Sequence, residues 1–454
     1  MKNFNYDTDD LIVALATPWA ESALAIIRTS GKNSIEMTSG IFSNREMLIE
    51  AKHNTMNYGF IIDPETEEKI DEVLISVFRA PNGYTGQDST EVYCHGSLPG
   101  IRKIIEAFKK VGFRDASPGE FTFRAFTSGK MDLTRAEAVQ DIVSAKSREA
   151  QSLALNRLSG GIESRINEVK KYVLNTVSAI EIQLDYPEDE GGLAYVPVGD
   201  ILKAETIIER LLATYKAGKV YKDGVKVVLA GKTNAGKSSL FNLFLQEDRS
   251  IVSEIHGTTR DYLESWISIG GIPVKLYDTA GIRVSADLIE MEGIKRTQNI
   301  VENADVVLYM VDGTKGLQED EVESFEKYRN KNNFIALWSK TDIKGVIPPE
   351  GFLGISSQDQ NGFAALEDKI KDIIFNGAFI KGDEAVLDSE RQKNLLEKCL
   401  EELKLFRQGM EDGVPLDLVA QDIKEALDCL GEITGEVTTS DLLENMFSQF
   451  CVGK

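Results

Sequence analysis

Val225-Lys226-Val227-Val228-Leu229-Ala230-Gly231-Lys232-Thr233-Asn234-Ala235-Gly236-Lys237-Ser238-Ser239-Leu240-Phe241-Asn242 decides how the middle of this chain folds. The first six residues read as a buried strand. Gly231 to Ser238 fits G-x(4)-G-K-[ST], and a helix follows from Ser239. Glycines let backbone N–H groups wrap a β-phosphate. Lys237 would reach the β/γ oxygens, and the Ser238 hydroxyl would ligate Mg2+. Asn234, Ala235, Gly236 and Ser239 belong to the same phosphate-contacting run. A bare glycine turn is the bland alternative, and the strand before and helix after argue against it.

Working outward, residues 225 to 375 alternate short apolar strands with helix-like segments. The strands are Val225–Ala230, Val274–Tyr277, Val306–Val311, Phe334–Trp338 and Phe352–Ile355. This alternation predicts a doubly wound parallel sheet. Asp278-Thr279-Ala280-Gly281 follows the second strand, where a carboxylate can hold magnesium through water and the Gly281 N–H can meet a γ-phosphate. Ser339-Lys340-Thr341-Asp342 follows the fourth. Asp342 can accept from guanine N1 and N2, a donor pair adenine lacks, which selects GTP. Such loops usually begin with Asn; Ser339 is shorter and predicts weaker guanine affinity. Ser356-Ser357-Gln358 would be the last base-contacting loop. Within Ser253-Glu254-Ile255-His256-Gly257-Thr258-Thr259, Thr259 is expected to complete the magnesium shell. Ile282 follows Gly281, where Ras-like enzymes carry a water-orienting glutamine. Isoleucine cannot do that, so a downstream acidic residue is expected to.

The flanks have other textures. In roughly the first 115 residues, Asp10–Ala16, Ala25–Arg28 and Glu72–Phe78 read as strands and Ile101–Val111 as a helix, a small α+β domain. Ala136–Leu184 lacks proline and repeats near a 3.6 period, broken at Gly160-Gly161. Ile201–Tyr215 is a second helical stretch, and the chain is helical again after about residue 385. An α/β unit is thus inserted between helical segments, which must pack together because neither apolar face can stay exposed. The expected division is 1–118, 119–218, 219–379 and 380–454.

The length of 454 residues suits about three domains. With 42% hydrophobic and 27% charged residues, the composition is that of a globular protein. The net charge is −22, which argues against a free-standing nucleic-acid binder unless a partner supplies the cations. Four scattered cysteines (Cys94, Cys399, Cys429, Cys451) and three histidines exclude a zinc cluster and a disulfide framework. The start lacks a signal-peptide pattern, and no run of about 18 apolar residues suggests a membrane span. A reducing cytoplasm is the expectation.

These residues, in this order, resemble the MnmE (TrmE) family of tRNA-modifying GTPases over nearly the whole chain. Outside the nucleotide motifs, the likeness rests on Ile26–Gly31, Pro81–Gly96, Pro118–Asp132 and Gly431–Lys454. The most specific element is the ending Cys451-Val452-Gly453-Lys454. The resemblance implies an N-terminal folate-binding and dimerisation domain, a helical domain from two chain segments, and an inserted Ras-like G domain. It implies a homodimer working with the flavoprotein MnmG (GidA), as a heterotetramer in which the partner carries FAD and most of the tRNA contacts. Together they would place an aminomethyl-type group on C5 of the wobble uridine, with carbon from a tetrahydrofolate derivative (5-formyl or 5,10-methylene). By the same resemblance, K+ would be held by Asn234, Thr258 and the carbonyls of Ser253 and Ile255. Glu290 would orient water. Arg28, Glu91, Lys130 and Lys454 would bind the folate. Taken singly, Arg28, Glu91 and Lys130 would read as surface charges.

Cys451 ends a segment, Thr438–Phe450, that reads as a helix capped by Ser440, with Leu442, Leu443, Met446, Phe447 and Phe450 on one face. Such a face would dock the helix and deliver the thiol to a fixed place. The alternative is a small buried apolar residue. At the level of function, the alternative is a GTP-switched assembly or ribosome-associated factor with no part in modification. The terminal thiol and the folate-like motifs argue against it.

Overall fold

The computed structural model describes residues 8, 10–185, 196–247, 264–278, 300–375 and 385–453. Contacts divide the chain into two compact units, Met1–Gln140 with Leu430–Lys454, and Asp141–Cys429. No described helix is long and apolar enough to cross a membrane.

The first unit is built on β1 (Ile12–Leu15), β2 (Ser22–Ser30), β3 (Thr55–Ile62), β4 (Lys69–Phe78), β5 (Ser89–Gly96) and β6 (Arg114–Asp115). They form one sheet in the order β3-β4-β5-β2-β1-β6. Every pairing is antiparallel except β1 with β6. The helix Leu98–Lys110 buries Ile101, Ile104 and Phe108 in a core with Val13, Ile27, Ile75 and Val92. The sequence reading missed β3 and β5. In β5 the residues between the buried ones are Glu91, Tyr93 and His95, so the polar face hides the strand. Arg124 and Glu120, both buried, form an ionic cluster with Arg114 and Asp10. The C-terminal helix Ser440–Phe447 docks by Phe447, which packs with Phe450, Leu133 and Ala136. Its cap position is Thr439, with no side-chain capping bond, rather than Ser440 as expected. Apolar contact does the anchoring instead.

The second unit holds β7 (Val225–Ala230), β8 (Glu264–Ile269), β9 (Ile272–Asp278), β10 (Val306–Asp312), β11 (Phe334–Ser339) and β12 (Leu353–Gly354), in the order β12-β11-β10-β7-β9-β8. The sheet is parallel except at its edge, where β8 runs antiparallel to β9. The doubly wound parallel sheet expected from the strand–helix alternation is present, and β8 adds an antiparallel edge to it. Gly270 and Gly271, at φ 55° and 89°, make a two-residue turn too short for a crossover, so the strands must reverse. The long helices on either side of the α/β unit pack together. Gly218 of Val198–Asp223 lies against Leu387, and Arg407 of Glu390–Glu411 holds Glu205 at 3.1 Å. Arg157 bridges Asp141 at 2.9 Å and Asp388 at 2.5 Å, with Lys222 alongside at 3.0 Å from Asp141.

Candidate functional site

β7 delivers the phosphate-binding run at its carboxyl end, and the helix Lys237–Glu247 leaves from it. That is where open α/β sheets place ligands. The loop needs its glycines. Gly231 has φ 120°, and a Cβ there would lie 2.2 Å from the Met310 carbonyl oxygen. Gly236 has φ 100° and Asn234 φ 70°. Lys237 is buried, and its Nζ donates to the carbonyls of Gly231 and Lys232, each at 2.6 Å. Ala235 is buried, while the side chains of Asn234, Ser238 and Ser239 are exposed. A glycine-permitted loop after a central strand, a buried ammonium and an exposed serine at a helix start fit a nucleotide phosphate with Mg2+. Asp278 ends β9 on the neighbouring strand. Lys232 pairs with Asp320 of the helix Glu319–Arg329.

The base loop follows β11. Ser339 is buried, its hydroxyl has no hydrogen-bond partner, and it sits beside Gly236 of the phosphate loop. The Thr341 hydroxyl is likewise buried and unpartnered. Lys340 has φ 61° and donates to Asp312 Oδ2 at 2.6 Å. Asp342 is exposed. Ser356 is buried and caps its own turn by accepting from the Gln358 N–H at 3.2 Å, while Ser357 and Gln358 lie nearer the surface. The sequence reading overlooked Asp312. Its place at the carboxyl end of a central parallel strand was the available signal. Burial works against its ionisation, but hydrogen bonds from Lys340 and Thr314 outweigh that and hold the carboxyl below its ordinary range.

The second candidate site lies on the open face of the first sheet. The β2–β5 register sets Arg28 opposite Glu91. Arg28 holds Glu91 Oε1 at 2.7 Å through Nη2 and the Gly453 carbonyl at 3.1 Å through Nη1. Its guanidinium also lies 5.9 Å from the Tyr84 ring centre and 5.8 Å from that of Phe121. Tyr93, another residue the sequence reading overlooked, donates its hydroxyl to Glu91 Oε2 at 2.9 Å. Burial first, and that carboxylate second, push the Tyr93 phenol up. The tail is fitted closely. Gly453 has φ 94°, and a Cβ there would lie 2.7 Å from the Leu15 carbonyl oxygen. Cys451 is exposed, and its carbonyl accepts from Gly119 N–H at 3.4 Å. Lys130 is exposed and donates to the Pro81 carbonyl at 2.8 Å.

Ser253, Glu254, Ile255, His256, Gly257, Thr258, Thr259, Thr279, Ala280, Gly281, Glu290 and Lys454 lie outside the described residues.

A phosphate loop on the central strand, an acidic residue ending its neighbour and an Asp-bearing base loop two strands away define a P-loop GTPase. Comparison with known proteins supplies the rest. Residues 11–130 match the family described as GTP-binding protein TrmE N-terminus, and residues 133–451 match the MnmE helical domain. The chain is 42% identical over 461 residues to the tRNA modification GTPase MnmE of Borrelia recurrentis, covering 99% of both chains. It is 43% identical over 467 residues to the protein of that name from Treponema denticola, again covering 99% of both. The Carboxydothermus hydrogenoformans protein of that name is 39% identical over 466 residues, covering 98% of this chain and all of its own. This chain belongs to the tRNA modification GTPase MnmE family, and it is a GTP hydrolase.

Proposed function

We propose that this chain is a potassium-stimulated GTPase that drives addition of a carboxymethylaminomethyl-type group to C5 of uridine 34 in certain tRNAs. It does so as a cytoplasmic homodimer with the flavoprotein MnmG, which carries the FAD and most of the tRNA contacts. The observation behind this reading is that Arg28 holds both Glu91 and the Gly453 carbonyl, so the tail bearing exposed Cys451 lies beside a carboxylate suited to a pterin edge. Met56, Tyr58 and Leu74 are exposed on adjoining strands of that sheet, an apolar surface that suits a second copy of this chain.

In the G domain, Lys237 would reach the β/γ oxygens. The Ser238 hydroxyl and Thr259 would hold Mg2+, and Asp278 would hold it through water. Asn234, Thr258 and the carbonyls of Ser253 and Ile255 hold K+. When bound, K+ supplies at the phosphates the positive charge that an arginine finger brings elsewhere. Glu290 orients the attacking water in place of the missing glutamine. Asp342 reads guanine. In the first unit Glu91 accepts from the pterin edge, and Arg28, Lys130 and Lys454 answer the anionic parts of the tetrahydrofolate derivative, which supplies the one-carbon unit when bound.

The test pairs two assays on one set of variants. GTP turnover should be faster in K+ than in Na+, a preference that Asn234→Ala weakens. Glu290→Ala should slow turnover and leave GTP affinity nearly intact. Cys451→Ser should keep turnover and lose modification, read by mass spectrometry of tRNA nucleosides. Equal rates in both ions would remove the potassium assignment. Intact wobble-uridine modification in cells lacking the chain would favour a GTP-switched assembly factor instead.

A further inference from the structure

We propose that Asp312 is a positioning residue for guanine-nucleotide binding, acting through Lys340. The proposal rests on reading Ser339–Asp342 as the base loop.

The sheet brings the two residues together. β10 and β11 are parallel, and their register sets Asp312 beside Ser339, the residue before Lys340. Lys340 has a left-handed backbone, φ 61°, that a side-chain-bearing residue rarely adopts without support. Its Nζ donates to Asp312 Oδ2 at 2.6 Å. The other oxygen, Oδ1, accepts from the Thr314 N–H at 3.0 Å and its hydroxyl at 2.7 Å. Both carboxylate oxygens are therefore engaged, and the group cannot rotate freely. Gly313 closes the clasp. Its N–H donates to the Ser339 carbonyl at 3.2 Å. A Cβ there would lie 2.2 Å from that carbonyl oxygen and 2.8 Å from Trp338 Nε1. The turn Asp312-Gly313-Thr314 thus grips Ser339-Lys340 by backbone and side chain together.

What makes the clasp consequential is the state of Ser339. Its hydroxyl is buried and has no hydrogen-bond partner among the described residues, although Ser339 Cβ is 3.8 Å from where a Gly236 Cβ would be. The loop is beside the phosphate cradle but is not tied to it by that side chain. Among the described residues, the base loop has a side-chain tie from Lys340 to Asp312. With its ammonium pinned, the four-carbon stem of Lys340 is held in one place and presents a fixed apolar surface for a planar base. Asp342, two residues on, is held in register with it. Releasing Asp312 frees the stem and the left-handed turn together. The cost of re-ordering them then falls on nucleotide binding.

The experiment is a double-mutant cycle on the full chain, using a fluorescent GDP analogue for affinity and GTP turnover for kinetics. Asp312→Asn should weaken GDP and GTP about tenfold, the scale of one charge-assisted hydrogen bond, by raising KM while kcat at saturation holds. Lys340→Ala should weaken binding similarly. The pair together should bind no worse than Lys340→Ala alone, because the two residues act as one unit. Unchanged affinity in Asp312→Asn overturns the proposal. So do additive losses in the double variant accompanied by a lower melting temperature, which would make Asp312 a strand-end support only. Asp342→Asn is the control for the underlying reading. If it fails to move preference toward xanthosine nucleotides, the base-loop assignment falls whatever the clasp does.

Discussion

Chemical exposure separates the four thiols. Cys94 is buried, and burial pushes its thiol up to about 12. Cys399 is driven up by burial too, and Cys429 is buried. Cys451 is exposed at the end of the docked C-terminal segment. Alkylation follows the accessible thiolate. Brief treatment of the native protein with iodoacetamide near pH 8 should therefore modify Cys451 alone, and peptide mass spectrometry should find the other three only after unfolding. Early modification of Cys94 would mean that β5 opens readily. The sequence reading preferred a thiol delivered by the docked segment over a packed one, and Cys451 is exposed. Asp342 also belongs to this scale. Its Asn variant should trade GTP for xanthosine triphosphate, because an amide can donate where a carboxylate only accepts, and competition binding would show it.

Among the elements, the helix Ser440–Phe447 shows which local signals mattered. Its periodic apolar residues were readable and do form the docking face, whereas the expected Ser440 cap does not form. Phe447 is fully buried and meets the Phe123 ring edge-on at 5.4 Å. Phe447→Ala should cost roughly 3–5 kcal/mol in that unit. Denaturant unfolding should show the loss, while GTP turnover, which belongs to the other unit, should change little. A loss under 1 kcal/mol would mean the helix is held by something other than this aromatic cluster. The missed strands β3 and β5 hide for different reasons. β3 turns Met56, Tyr58 and Phe60 outward and buries Asn57 and Gly59, so those apolar residues are on the side away from the core. β5 carries Glu91, Tyr93 and His95 on its more exposed face, and that polarity erases the apolar pattern that marks a strand.

For the molecule as a whole, charge and chain crossings set the behaviour. Asp388 follows the return from the α/β unit and Lys222 precedes its first strand, and both join Arg157 and Asp141. Arg157 and Asp388 are almost entirely buried, and removing the guanidinium leaves Asp141 and Asp388 sharing the Lys222 ammonium, an excess of buried negative charge. Arg157→Met should destabilise the second unit by roughly 3–5 kcal/mol, read as a shifted urea midpoint. A neutral result would show that water reaches the carboxylates. At a net charge of −22, the isolated chain should bind tRNA weakly at physiological salt, the cations being left to the partner proposed above. Filter binding across a salt series tests this. Tight, salt-sensitive binding by the chain alone would reveal a basic patch that the total hides.

The sequence alone determined the phosphate loop, the alternating unit around it, the helical flanks and the terminal Cys-Val-Gly-Lys. Each depends on residues close together in the chain, where spacing and strand–helix context are sufficient. Tertiary structure decided the rest, because it joins residues that no local pattern connects. Arg28 reaches Gly453 only through the folded first unit, and Asp312 meets Lys340 only because β10 and β11 are neighbours. The antiparallel edge at β8 and the buried Arg157 cluster are of the same kind. Pairing across a sheet and burial of a charge depend on what lies opposite in space, and a single sequence does not contain that information locally.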